Sequence, residues 1–233
     1  SSVVAAQVMS KLTVGLSGTA IIGPVLLGTV LAVLAGTAWG LINGLIAVST
    51  KIPTFIVTLA TSTIILGLAQ VWTGGLNVSG APIDLQNAFG LGGVLGIPWP
   101  VIAAAVIAAV LWFILAKTRF GLRTFAIGAN IEAARRAGIG VKVHLIAIYA
   151  LVGLLAGIAG TIDVARFTTA TVNGYAGTAL QVITAVVIGG TSLWGGRGRM
   201  SGTIVGAFIP ATLTSGFVVM GMQPFWQNVA IGI

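Results

Sequence analysis

The sequence predicts an all-α fold: a polytopic, glycine-rich transmembrane helical bundle with a short helix carried in a cytoplasmic loop. Three observations predict it. Charged residues make up only 6% of the chain and hydrophobic ones 57%, and so little charge cannot cover a soluble domain. Apolar segments of about 20 residues alternate with short breaks rich in Gly, Pro and Asn, and that is the length of a membrane helix rather than of a barrel strand. The one long polar interruption, Lys117 to Val143, holds six of the eleven basic residues, namely Lys117, Arg119, Arg123, Arg135, Arg136 and Lys142. Such a concentration marks a cytoplasmic loop.

The net charge of +8 does not indicate nucleic acid, because the basic residues are not interleaved with stacking aromatics and fall mostly between apolar segments. Positive-inside topology accounts for it better. The chain has no cysteine, which excludes a disulfide framework and a Cys-based metal site.

In order along the chain, SSVVAAQVMSKLTVGLSG has neither a charged start nor a cleavage pattern, so it does not read as a signal peptide. The chain is expected to start inside a span. Pro24 to Ser49 is a long apolar run in which Gly36, Gly40 and Gly44 recur every four residues, stacking on one helix face where a neighbouring backbone can approach. Thr50, Lys51 and Pro53 break the run, and Lys51 marks a cytoplasmic end. Phe55 to Trp72 crosses outward with Thr58, Thr61, Ser62 and Thr63 as a hydroxyl-rich face, and such hydroxyls commonly bond their own helix carbonyls.

Thr73 to Gly96 carries one acid, Asp84, and no base, and is placed outside. Trp99 marks an interface before Val101 to Ala116 returns to the basic loop. In that loop Asn130 caps a helix from Ile131 to Ala137, and Gly138 ends it in a left-handed turn. Glu132 can pair with Arg135 and Arg136, while Ala133, Ala134 and Ala137 leave a smooth surface. From the residues alone, this helix fits a partner's groove as well as it fits charged lipid headgroups.

Val143 to Val164 crosses outward with Gly153, Gly157 and Gly160 for close approach, and Asp163 can pair with Arg166. Phe167 to Thr178 is uncharged and external. Ala179 to Leu193 is short for a span, so it is either tilted or broken at Gly189 and Gly190. Arg197 and Arg199 place the next turn at or near the cytoplasmic side. Thr203 to Met220 crosses outward, with Gly202 and Gly206 continuing the small-residue pattern, and Gln223 to Trp226 makes an outer interfacial turn. On this topology nine basic residues lie inside, and Lys11 and Arg166 lie elsewhere.

No Gly-Lys-Ser/Thr occurs, which excludes a P-loop, and Gly196, Gly198 and Gly202 miss the dinucleotide spacing. His144 stands alone, and the only acids are Asp84, Glu132 and Asp163. Neither a metal site nor an acid–base pair is expected, and no mid-span carboxylate offers proton coupling.

The runs NIEAARRAGIGV, YALVGLLAGIAG and AVVIGGTSLWGGRGRMSGTIVGA, preceded by GLINGLIAVSTKIPTFIVTLAT and GLAQVWTGG, closely resemble the permease subunits of bacterial ABC importers of the ribose, xylose and arabinose type. The resemblance covers nearly the whole chain in order. It implies one transmembrane permease domain over 1–233, truncated at both ends, in the bacterial inner membrane and paired with a second permease. It also implies partner ATPase subunits that carry ATP and Mg, and a sugar-binding protein outside. Two features depart from the family: Ala179-Leu180-Gln181 stands where members commonly have Glu-Leu-Asp, and the terminal helices are absent.

The resemblance gives the residues roles. Ile131, Glu132, Ala133, Ala134, Arg135, Arg136, Ala137 and Gly138 would form the helix that couples to the ATPase. Asn43, Thr58, Thr61, Gly189, Gly190, Thr191 and Ser192 would line the path of a monosaccharide or polyol moving by alternating access. Gly36, Gly40, Gly44, Gly153, Gly157, Gly202 and Gly206 would pack helices. A secondary transporter or channel for a small neutral solute is the alternative in another class, and it calls for ionisable residues at mid-membrane. A purely structural membrane subunit is the third reading.

Overall fold

The computed structural model describes residues 1–13, 21–50, 52–79, 81–175, 178–222 and 226. Lys51, most of the Gln223 to Trp226 turn, the closing QNVAIGI and parts of both external loops therefore lie outside the described residues. The elements in chain order are α1 (Ser2–Leu12), α2 (Ile22–Ser49), α3 (Thr54–Thr73), β1 (Val78–Ser79), α4 (Ile83–Leu85), β2 (Gly93–Val94), β3 (Ile97–Pro98), α5 (Trp99–Lys117), α6 (Arg119–Ala129), α7 (Ile131–Arg136), α8 (Val141–Phe167), β4 (Thr169–Ala170), α9 (Thr178–Ile188) and α10 (Met200–Val219). Among them α2, α3, α5, α8 and α10 are long and apolar enough to cross a membrane. The fold is an all-α polytopic membrane bundle.

Helix ends follow local chemistry. At the end of α2, both the backbone N–H and the hydroxyl of Thr50 donate to the Ile46 carbonyl. α3 starts after Pro53 and stops at Gly74, whose φ of +66° is open to glycine at little cost. On α3 the hydroxyls of Thr58, Thr61, Ser62 and Thr63 all donate to carbonyls three or four residues back. They satisfy their own helix instead of presenting a free polar face.

The chain divides into two compact units. In the first, residues 1–105 and 142–174, α1 lies on α2 through Met9, Ala5 and Ala6, which are buried together with Ala32, Val164 and Ala170. α2 meets α8 along a glycine seam. A Cβ added at Gly36 would fall on the Gly153 carbonyl oxygen, one at Gly40 on the Tyr149 carbonyl oxygen, and one at Gly44 would lie 3.0 Å from Ile146 Cα. Small residues let the two backbones touch, which supplies van der Waals contact where lipid removes the usual hydrophobic drive between helices.

The Thr73 to Gly96 stretch, expected outside, contains short paired strands. β1 pairs antiparallel with β4, and β2 with β3. Leu95 and Gly96 both have positive φ in the two-residue turn between β2 and β3, the geometry that matches a hairpin's twist.

In the second unit, residues 106–141 and 175–233, α9 lies along α10. A Cβ at Gly189 or at Gly202 would strike the other's carbonyl oxygen, and one at Gly206 would strike that of Ala185. α9 spans 11 residues and ends at Ile188, with Gly190 at φ +80° directly after it. The expected 15-residue segment is thus broken at its glycine pair.

Two further expectations are corrected. The basic loop carries two helices, α6 and α7, where one was expected. A threonine at the N-cap position, Thr118, was the local signal for α6, although its hydroxyl donates to the Ile114 carbonyl and makes no cap; the two arginines made the segment read as loop. Asp163 and Arg166 form no ion pair among the described residues; the Arg166 guanidinium instead stands 5.2 Å over the Phe167 ring, a cation–π contact.

Candidate functional site

α7 is a short helix with both ends fixed. Asn130 is extended, at φ −160° and ψ 105°, and its Oδ1 accepts from the Ala133 N–H at 3.0 Å. Such a cap stabilises by about 1 kcal/mol. At the other end Gly138 takes φ +79°, its N–H donates to the Arg135 carbonyl at 3.0 Å, and the Ile139 N–H donates to the Ala134 carbonyl at 3.1 Å. This paired termination satisfies carbonyls that a helix end otherwise leaves free.

The charges on α7 matter less to its stability. Glu132 Oε1 and Arg135 Nη1 are 3.1 Å apart, with side chains 65% and 61% exposed, so solvent screening holds the pair to about 0.2–1 kcal/mol. Arg136 takes no part in an ion pair among the described residues, although Glu132 was expected to engage both arginines; the carboxylate accepts from Arg135 Nη1 instead. A second correction concerns the alanines. Ala133 and Ala137 are exposed, whereas Ala134 is buried; Ala133 and Ala137 are four apart on one helix face, and Ala134 stands about 100° round from Ala133. The outward surface is therefore built on Ala133 and Ala137 alone.

The end of α6, two residues before the Asn130 cap, is in backbone contact with the turn between α9 and α10. A Cβ at Gly128 would lie 2.6 Å from the Gly196 nitrogen, and one at Gly196 2.8 Å from Ala129 Cα. In that turn the Ser192 N–H donates to the Arg197 carbonyl at 2.9 Å, and Ser192 Oγ accepts from the Trp194 N–H at 3.2 Å. Thr191 Oγ1 lies 3.4 Å from Thr203 Oγ1. These hydroxyls hold the turn's shape. Beside them opens a cavity of about 710 Å³ lined by Phe125, Gly189, Gly190, Arg197, Arg199 and Ser201, among others.

The remaining candidates are in the first unit. Thr58 and Thr61 sit on α3 with their hydroxyls bonded to helix carbonyls. Asn43, on α2 beside Gly44, has a buried Oδ1 with no hydrogen-bond partner among the described residues. Gly157 meets α2 at Val33, whose Cα would lie 2.6 Å from an added Cβ.

Sequence reasoning missed a polar, uncharged pocket of about 520 Å³ lined by Gly75, Leu76, Asn77, Thr171, Asn173 and Gly174. It is framed by two amide contacts: Asn77 Oδ1 accepts from the Val172 N–H at 3.2 Å, and Gln70 Nε2 donates to Asn173 Oδ1 at 3.1 Å. The two loops that build it are 95 residues apart in sequence, so only their shared amide and glycine content hinted at it.

Residues 2–233 match the family described as the branched-chain amino acid transport system, permease component. The chain is 43% identical over 192 residues to the ribose import permease protein of Bacillus subtilis (strain 168), covering 82% of this chain and 60% of that protein. It is 35% identical over 211 residues to the D-allose transport system permease protein of Escherichia coli (strain K12), covering 91% and 64%. To the galactose/methyl galactoside import permease protein of Haemophilus influenzae it is 35% identical over 212 residues, covering 87% and 62%. The chain thus spans between 60% and 64% of the length of these relatives. No solved structure matches.

Proposed function

The chain belongs to the family of transport-system permease components, and from that premise we propose that it is the membrane subunit of an ATP-driven ABC importer for a monosaccharide or related polyol. The family's description speaks of amino acids, but the relatives at 35% to 43% identity are named for ribose, allose and galactose, and a sugar is the reading we adopt. The protein works in the bacterial inner membrane, as part of a permease pair, and itself carries out transport and not ATP chemistry. ATP and Mg belong to partner ATPase subunits, and a sugar-binding protein delivers the substrate from outside.

The observation that supports this most is α7. It is a helix of six residues with both termini hydrogen-bonded, which suits a rigid contact through which ATPase closure pushes on the membrane helices. Its exposed face, Ile131, Glu132, Ala133, Arg135, Arg136 and Ala137, would meet the ATPase, while Ala134 and Gly138 keep its shape. Motion of α7 would pass through α6 to the turn between α9 and α10 at the Gly128 contact. Asn43, Thr58, Thr61 and the Gly189 to Ser192 segment are the candidates to line the path. Neutral amides and hydroxyls suit weak, releasable contact with a sugar.

The test is uptake in proteoliposomes holding the permease, an ATPase subunit and a sugar-binding protein. ATP-dependent uptake of ribose, allose or galactose is expected. Uptake of branched-chain amino acids with none of sugars would overturn the substrate class, and uptake without ATP would return the secondary-transporter reading.

A further inference from the structure

We propose that the turn between α9 and α10 is a binding site for the phosphate headgroup of an anionic glycerophospholipid, with Arg197 and Arg199 as the anion contacts and Leu193 and Trp194 as the apolar anchor. The argument starts from depth. α10 has 20 residues, and at 1.5 Å per residue it matches the hydrocarbon thickness of a bilayer. Arg199 is its N-cap, and a full crossing by α10 puts the turn where hydrocarbon gives way to headgroups.

Exposure at that level is selective. Trp194 is 95% exposed and Leu193 73%, so both are free to enter the bilayer surface, and tryptophan is favoured at the headgroup boundary. Arg197 and Arg199 are also exposed, and neither has an ion-pair partner among the described residues. The open cavity of about 710 Å³ beside them adds the Ser201 side chain and leaves room for a headgroup. Two guanidiniums around one space suit a phosphate, whose oxygens accept paired N–H donors. They do not suit a neutral sugar. Basic pockets between membrane helices on the cytoplasmic side recruit anionic lipid, and the contact of Gly196 with Gly128 and Ala129, in the basic loop that charge asymmetry places inside, puts this pocket there. The inference needs the membrane topology but neither the sugar nor the ATPase contact at α7.

The experiment titrates the purified permease in detergent with phosphatidylglycerol, phosphatidylcholine or inorganic phosphate and reads bound lipid by native mass spectrometry. Saturable phosphatidylglycerol binding is expected, about 30-fold weaker in the Arg197→Gln/Arg199→Gln variant if each basic contact contributes its usual share. Phosphatidylcholine should bind weakly to both. Arg166→Gln, which removes a charge at the far end of α8 and outside the lining of this cavity, should bind phosphatidylglycerol as the wild type does. Should the double variant fail to fold, the single variants Arg197→Gln and Arg199→Gln serve, each expected to weaken binding several-fold. Unchanged affinity in the double variant, or in both singles, overturns the site. Full displacement of phosphatidylglycerol by equimolar inorganic phosphate also overturns it, in favour of a soluble anion. Normal lipid binding with lost ATPase co-purification overturns it in favour of a protein contact.

Discussion

Gly36 and Gly153 face each other across α2 and α8 so closely that a Cβ on either would strike the other's carbonyl oxygen. The relationship is reciprocal, so neither position can relax by moving a side chain; only backbone separation makes room. The seam continues at Gly40 against Tyr149 and at Gly44 against Ile146.

Gly40→Leu should therefore force the helices apart and cost at least the 1–3 kcal/mol typical of overpacking. In contrast, Gly216→Ala in α10 meets nothing within 4 Å and should be neutral or stabilising by up to about 1 kcal/mol. Thermal melting in detergent separates the two. Equal melting points would mean that the α2–α8 contact contributes nothing measurable.

Topology is tested by single cysteines at positions where a side chain meets no neighbour. Leu76 is 73% exposed, and an added Cβ at Gly140 meets nothing within 4 Å. Leu76→Cys should label with an impermeant maleimide in intact cells, and Gly140→Cys only after permeabilisation. Asn77 and Asn130 suit this less well, since both side chains accept backbone hydrogen bonds. Labelling of Gly140→Cys from outside would reverse the orientation drawn from the basic residues.

Much of the fold was legible because bilayer crossing leaves a coarse signal: length and apolarity alone locate α2, α3, α5, α8 and α10. The caps of α7 were legible for a different reason, as Asn130 and Gly138 act within a few residues of their own positions. What escaped was whatever depends on the far side of a contact. Ala134 reads like Ala133 in the sequence, and only the folded chain shows one buried and the other exposed. Arg119 and Arg123 disguised α6 as loop, since its burial rests on Gly121 and Ile127. Asn43 was a candidate by type, but its unpartnered oxygen is a property of the folded α2.

That oxygen supports a prediction about the path. A buried acceptor without a donor costs roughly 1–3 kcal/mol, so Asn43→Leu, similar in shape and apolar, should raise the melting point of the sugar-free permease. If the carbonyl serves passing sugar hydroxyls, uptake should fall in the same variant. A gain in stability with full uptake would remove Asn43 from the path.

Thr191→Val and Ser192→Ala answer a related question, because both hydroxyls already have neighbours within the turn. Loss of these contacts should lower stability by about 1 kcal/mol each. Uptake per folded molecule then separates the two roles. A drop at unchanged melting temperature assigns them to the path, whereas lower melting with full uptake per molecule makes them structural.

A test of the proposed coupling role of α7 depends on distinguishing its surface from its scaffold, and burial makes that possible. Ala134→Trp is a poor probe of docking, since the buried site has no room for an indole and the helix itself would be displaced. Ala133 is exposed, so Ala133→Trp should leave the permease folded and in the membrane while blocking a close-fitting groove. Sugar uptake and transport-stimulated ATP hydrolysis should both be lost. Gly138→Pro removes the N–H that donates to the Arg135 carbonyl and cannot adopt φ +79°, so the end of α7 should fray with the same loss of transport. Arg136→Ala, which breaks no ion pair among the described residues, should weaken both activities only in part. If Ala133→Trp and Gly138→Pro kept full uptake with the ATPase bound, α7 would be an ordinary loop helix. The contact would then have to be sought at Lys51 or at the turn bearing Arg197 and Arg199, where a loss of ATPase co-purification would reveal it.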